Sequence, residues 1–325
     1  MKKIFLFSLM TFSSFVFAAD KSQFVRPDHI PFPATNPYSA SKAALGKMLF
    51  FDPRLSKNRN LTCASCHNPS FGWEDATAAA VGSQNTQLGR HSPTIINAAW
   101  GKEFFWDGRA KTLEEQAQGP IEAAVEMNIS MEGVVERLSA VEGYRNLFSR
   151  VFGTSGINEQ NIRKSIATFE RTIVSGEAPF DRWVEGDESA ISSNAKRGFE
   201  LFNGKAQCVS CHTGWNFTDH EYHDIGINSD DDGRMLITGN PQDEKAFKTP
   251  SLRNITQRAP FMHDGSMETL REVIVHYVAG FNRRPSLSNK IQPLELTAQE
   301  ITDLEAFLMT LTGEDKAITL PLLPY

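Results

Sequence analysis

Four cysteines in 325 residues leave none to spare, because all four fall in two pentapeptides, Cys63-Ala64-Ser65-Cys66-His67 and Cys208-Val209-Ser210-Cys211-His212. After residue 17 the chain has no apolar run of membrane length, which argues against a membrane-spanning protein once the N-terminus is removed. Lys2 and Lys3, the apolar stretch Ile4 to Phe17 and the small-residue signal Val16-Phe17-Ala18 make residues 1–18 a signal peptide. A basic surplus is missing as well. Losing Lys2 and Lys3 takes Lys+Arg from 33 to 31 against 39 Asp+Glu, a formal charge of −8, which argues against nucleic acid as a partner. Strand signals are sparse, and the stretches 68–92 and 213–249 are polar and glycine-rich.

What is present is the CxxCH pattern, twice. This is the spacing of covalent c-type haem attachment, in which two thiols add across the vinyl groups and the next histidine reaches the iron. A redox dithiol or half of a zinc site would fit one such motif, and a bridge inside each CxxC would suit an exported chain. The recurrence, the lack of a spare cysteine and the otherwise unexplained histidines favour two covalently bound haem c groups. Cys63, Cys66, Cys208 and Cys211 are then the attachment points, and His67 and His212 the iron ligands. Haem of this type is attached outside the cytoplasm, so the periplasm is the expected compartment.

A repeat sets the domain count. Ser41 to Phe51 and Asn194 to Phe202 are both short helical patterns holding a glycine and a Leu/Phe pair, each followed by a loop and a CxxCH. The back ends match too: Ile162, Ile166, Phe169 and Ile173 recur at helical spacing within 158–174, as do Ile301, Leu304, Leu308 and Leu311 within 297–311. Thr297 with Glu300 predicts a capping box there, and Gly313 a C-terminal glycine. The fold expected is all-α: two cytochrome c-like domains with long loops, 19–185 and 186–325, divided near the polar stretch 185–193.

With these motifs in hand, the chain resembles the bacterial dihaem cytochrome c peroxidase and MauG family, closer to the MauG-like subgroup. Besides both CxxCH sites, the resemblance rests on Leu49-Phe50-Phe51-Asp52-Pro53-Arg54-Leu55-Ser56, Ser92-Pro93-Thr94-Ile95-Ile96-Asn97, Phe105-Trp106-Asp107-Gly108-Arg109-Ala110, Glu115-Gln116-Ala117 with Gly119-Pro120-Ile121, Glu126-Met127, Thr249-Pro250-Ser251-Leu252-Arg253-Asn254 and Ala259-Pro260-Phe261-Met262-His263-Asp264-Gly265-Ser266.

The resemblance implies that the first haem meets peroxide and the second receives or holds electrons. It makes Glu126 the acid/base that moves a proton between peroxide oxygens, a task suited to a carboxyl whose pKa burial raises. Gln116 would hydrogen-bond the bound oxygen species, Pro120 would shape the pocket, and Trp106 would lie between the haems as an electron conduit. Many members close the first site at rest with a histidine about sixteen residues after the proximal one. Here Ala80-Val81-Gly82-Ser83-Gln84-Asn85 holds none, which predicts an open first iron. Tyr277 falls at the sixth-ligand position of the second haem, where classical peroxidases have methionine and the MauG subgroup tyrosine; Met262, Met267 and His276 compete with it. An interdomain calcium is a further family feature. Here His91 replaces the usual asparagine ligand, a poor exchange for a hard cation, while Arg258 and Pro260 supply the carbonyl positions; Asp230-Asp231-Asp232 is a second, solvated acidic run.

The leading expectation is a periplasmic cytochrome c peroxidase-type oxidoreductase. It would reduce hydrogen peroxide to water with electrons from a small cytochrome c or copper protein, docked weakly. The first alternative is a MauG-like enzyme whose peroxide-generated high-valent haems oxidise Trp or Tyr residues of a partner protein. The second is a non-catalytic dihaem electron carrier.

Overall fold

The computed structural model describes residues 21–325, so the signal-peptide reading of residues 1–18 lies outside the described residues. The first domain opens on α1 (Ala40–Phe50), whose start is capped by the Ser39 hydroxyl accepting from the Lys42 N–H at 3.3 Å. It continues through α2 (Cys63–Cys66), α3 (Leu113–Glu122), α4 (Met131–Ser139), α5 (Glu142–Phe152) and α6 (Glu159–Arg171). After α7 (Pro179–Val184), the second comprises α8 (Ser193–Asn203), β1 (Tyr222–His223), α9 (Met235–Thr238), β2 (Phe247–Lys248), α10 (Leu270–Val275) and α11 (Ala298–Met309). The two strands pair antiparallel, Tyr222 opposite Lys248 and His223 opposite Phe247, and are the only named strands among the described residues. Mostly helical, the molecule consists of two cytochrome c-type domains.

The repeated glycines explain how each domain closes. A Cβ on Gly46 of α1 would overlap the carbonyl oxygen of Ser165 on α6, and a Cβ on Gly198 of α8 would overlap that of Asp303 on α11. In both domains the first and last helices therefore cross at backbone contact, which only a side chain of hydrogen permits. The same crossing buries Leu49, Phe50, Ile162, Ile166 and Phe169 in one core and Phe199, Phe202, Leu304, Phe307 and Leu311 in the other. Each fully buried large apolar side chain contributes roughly 1.5–3 kcal/mol.

The second core also takes in Phe180 and Trp183 of α7, upstream of residue 185, and Phe24 from the N-terminal segment. Asp181 holds α7 there by accepting from the fully buried Arg253 at 2.7 Å. The Thr297–Glu300 capping box forms as the pattern predicts. Gly313 acts differently from its expected capping role: α11 ends at Met309, and Gly313 instead lies against the backbone of Gly176 and Glu177. Among the described residues no helix is long and apolar enough to cross a membrane.

Candidate haem sites and the ground between them

Each CxxCH opens on its own cavity. Cys63, Cys66 and His67 line the first, and Cys208, Cys211 and His212 the second. All four thiols are unpaired. The histidine Nδ1 atoms are used up locally, His67 donating to the Trp73 carbonyl at 3.2 Å and His212 to the Phe217 carbonyl at 2.9 Å. That fixes the tautomer and leaves each Nε2 free as a ligand, while burial pulls both imidazoles below their usual pKa and keeps them neutral. Mostly apolar walls, two free thiols and a neutral, oriented imidazole fit a covalently attached haem in each domain.

Besides His67, the first cavity is lined by Gln116 and Pro120 of α3, four residues apart and so on one helix face. Gln116 Oε1 is buried without a hydrogen-bond partner. Pro120 has no N–H to extend the helical ladder, and α3 ends two residues later. The chain then turns back, Met127 N–H donating to the Pro120 carbonyl at 3.0 Å, which carries Glu126 into the same cavity. Burial pushes the Glu126 carboxyl above its ordinary value, against a smaller pull from the Arg109 charge. The loop without a histidine is pinned to this turn: Ser83 N–H donates to the carbonyls of Val125 (3.0 Å) and Glu126 (2.9 Å), and at Gly82 a Cβ would overlap the Val125 oxygen.

His67 and His91 are the histidines on the first cavity's wall, and His91 is not free to bind iron. Its Nδ1 donates to the Thr77 carbonyl at 2.7 Å and its Nε2 lies 3.0 Å from a Glu74 carboxylate oxygen. Burial opposes a charge on this ring, but the Glu74 hydrogen bond and charge outweigh it and raise its pKa. Nor do these residues fit calcium. Both ring nitrogens of His91 are engaged, and the buried guanidinium of Arg258 lies 3.7 Å from the other Glu74 oxygen, so each oxygen of this carboxylate already faces a protein group. Asp231, from the acidic run, is committed to Arg90 through two contacts of 2.6 and 2.9 Å.

In the second cavity Tyr277 lines the wall together with Met262; Met267 packs in the apolar core, and His276 Nε2 donates to the Ile225 carbonyl at 2.8 Å. Tyr277 sits in a π-helical turn, His276–Gly280, directly after α10. Such turns re-aim side chains and cluster at functional sites. Trp106 lines both cavities and is 9% exposed. Its indole N–H donates to the His91 carbonyl at 2.8 Å, and its own carbonyl accepts from the Lys248 N–H of β2 at 2.8 Å.

Three features escaped the sequence reading. Glu170 lines the first cavity with Oε2 unpartnered, and its burial pushes the carboxyl up to about 8. Its signal was a carboxylate four residues after Ile166, on the apolar face of α6. Arg109, inside a quoted motif, bonds Asp107 at 2.9 Å and lines the first cavity. Trp100 and Trp215 meet edge to face at 4.7 Å across the two domains, which no local pattern reveals.

Comparison with known proteins agrees with this architecture. Residues 40–189 match the di-haem cytochrome c peroxidase family and residues 195–312 the cytochrome c family. The methylamine utilization protein MauG of Methylorubrum extorquens is 51% identical over 94% of this chain and 88% of its own length. Cytochrome-c peroxidase IdrP1 of a Pseudomonas strain, SCT, is 38% identical over 87% of this chain and 84% of its own. The crystal structure of a MauG-like protein associated with microbial copper homeostasis superposes with a TM-score of 0.83 at 33% identity, covering 89% of this chain and 95% of that one.

Proposed function

The chain belongs to the di-haem cytochrome c peroxidase and MauG family, an oxidoreductase with two covalently bound c-type haems, and from that premise we propose a periplasmic enzyme that consumes hydrogen peroxide at its first site and spends the oxidising equivalents on tryptophan or tyrosine side chains of a partner protein. The observation that carries this reading is Tyr277 on the π-helical turn of the second cavity. A phenolate ligand favours ferric and higher iron states, where a thioether favours ferrous iron. The MauG relative at 51% identity points the same way.

The haems, when bound, supply the iron chemistry that accepts two electrons' worth of oxidation from peroxide. The chain's residues manage the protons. Glu126, held at the cavity by the turn after α3, takes the proton from the inner peroxide oxygen and returns it to the outer one, so that water leaves. Its raised pKa suits both halves of that exchange. The unpartnered Gln116 Oε1 marks an amide with hydrogen-bonding capacity to spare for the oxygen species, and Pro120 keeps the wall beside it free of a competing donor. Trp106, shared by both cavities, is the route by which the second site gives up an electron to the first. Two electrons and two protons drawn from partner side chains then restore the resting enzyme and complete the reduction of peroxide to two waters.

A second reading, peroxide reduction by a small cytochrome or copper protein, is favoured by the same Glu126, Gln116 and Pro120 and by the peroxidase relative at 38% identity. A non-catalytic carrier has no use for them. Stopped-flow mixing of the diferric protein with one equivalent of peroxide, followed by ferrous cytochrome c, separates the readings. A long-lived oxidised species indifferent to small reductants supports protein oxidation. Rapid consumption of the cytochrome supports the peroxidase and overturns the proposal.

A further inference from the structure

The vinyl groups and the propionates of a haem lie on opposite halves of its ring. In the second cavity Cys208 and Cys211 mark the vinyl half. Lys290 and His223 stand on that side: Lys290 Nζ donates to the Ser210 carbonyl at 2.8 Å, and both bond Asp219, whose N–H donates to the Cys211 carbonyl at 2.8 Å. Another part of the wall is formed by Trp106, His91 and Arg258. Arg258 is 3% exposed, donates through Nη2 to the Ser251 carbonyl at 2.5 Å, and leaves Nε and Nη1 without a hydrogen-bond partner. Glu74 does not complete it. The oxygen 3.7 Å from Nη1 already accepts from the Thr94 N–H at 3.1 Å, and the other oxygen faces His91. On the same cavity wall His263, 4% exposed and stacked on Phe247 at 3.6 Å, has an unpartnered Nε2.

A buried guanidinium with two unmet donors is strongly disfavoured unless an anion meets it, and a planar fork of N–H groups matches a carboxylate. We propose that Arg258 is the receptor for a propionate carboxylate of the second haem, with His263 Nε2 beside it as a further polar contact. The assignment holds for either substrate class. It places a fixed positive charge against the second haem next to the Trp106–His91 bridge, and there it favours the ferrous over the ferric state.

The test is Arg258→Gln in the full-length holoprotein with both haems attached, followed by a redox titration monitored by EPR. The second haem's reduction equilibrium is expected to fall about tenfold, ~59 mV for one electron, while the first haem shifts less. Arg258→Lys, which keeps the charge and loses the fork, falls less than Gln. A Gln variant with an unaltered second-haem potential overturns the assignment. Should that variant not accumulate, resonance Raman of the wild-type holoprotein decides. A propionate bending band displaced from that of a solvated carboxylate supports the pairing, and an undisplaced band for both second-haem propionates overturns it.

Discussion

Replacing Gly82 with alanine probes the first site through a single contact. The backbone at Gly82 (φ −96°, ψ −149°) is extended enough for an L-residue, so the new methyl group acts through space and not through dihedral strain. That methyl would overlap the Val125 carbonyl oxygen and lie 3.0 Å from its carbon and 3.1 Å from Glu126 Cα. Ordinary carbon contacts begin near about 3.5 Å. Since Ser83 N–H ties the loop to both carbonyls, the segment carrying Glu126 must shift by an amount on the order of 1 Å. Overpacking of this kind costs about 1–3 kcal/mol of stability. A shift of that size at a proton-transfer group costs roughly 10²-fold in rate, or about 2.7 kcal/mol on the barrier. Stopped-flow absorbance on the diferric protein reads the peroxide reaction at the first haem, and a redox titration reads the second haem, whose potential should not move. Glu126→Gln sets the floor, with a loss of about 10²–10⁴-fold. If the alanine variant melts earlier but reacts with peroxide as fast as the wild type, the placement of Glu126 by this loop has no bearing on the chemistry.

Tyr277→Phe should abolish the phenolate signature of the second haem and raise its midpoint potential; an unchanged spectrum would remove Tyr277 from the coordination sphere. Glu170 has a folded-state pKa of about 8, above its unfolded value, so the stability it confers is full at low pH and is lost as pH rises through about 8. That term is on the order of 5 kcal/mol at most, and Glu170→Gln should flatten the fall of Tm between about pH 4 and 8; parallel wild-type and variant curves would refute it. Treatment with a chelator should leave both Tm and peroxide reactivity intact, because His91 and Arg258 fill the calcium neighbourhood. A drop in Tm restored by calcium alone would show that a divalent ion binds after all.

How much of this was written in the chain depends on the range of the interaction. The CxxCH spacing is dictated by bond geometry within five residues, and the helix pairs betray themselves by periodicity, so the haem sites and the doubled all-α fold were legible. The glycines at 46 and 198 were visible as a repeat, but their purpose, a backbone crossing with Ser165 and Asp303, needed the structure. Gly313 looked like a helix cap and proved to be a close approach to Gly176, since helix ends are decided by the last hydrogen bonds and not by the next glycine. Phe24 joins a core built about 150 residues and more downstream, a pairing without local signature. The π-helical turn at Tyr277 and the unmet donors of Arg258 are likewise properties of the folded surroundings.

Five residues form a closed clasp at the domain junction. Trp106 holds His91 through its indole, His91 N–H reaches the His263 carbonyl at 2.8 Å, His263 stacks on Phe247, and the neighbouring Lys248 N–H returns to Trp106. A ring fastened at every joint has little freedom to rearrange when charge arrives. An indole so mounted is held by partners on both sides, so that any charge passing through it would meet surroundings with few ways to relax.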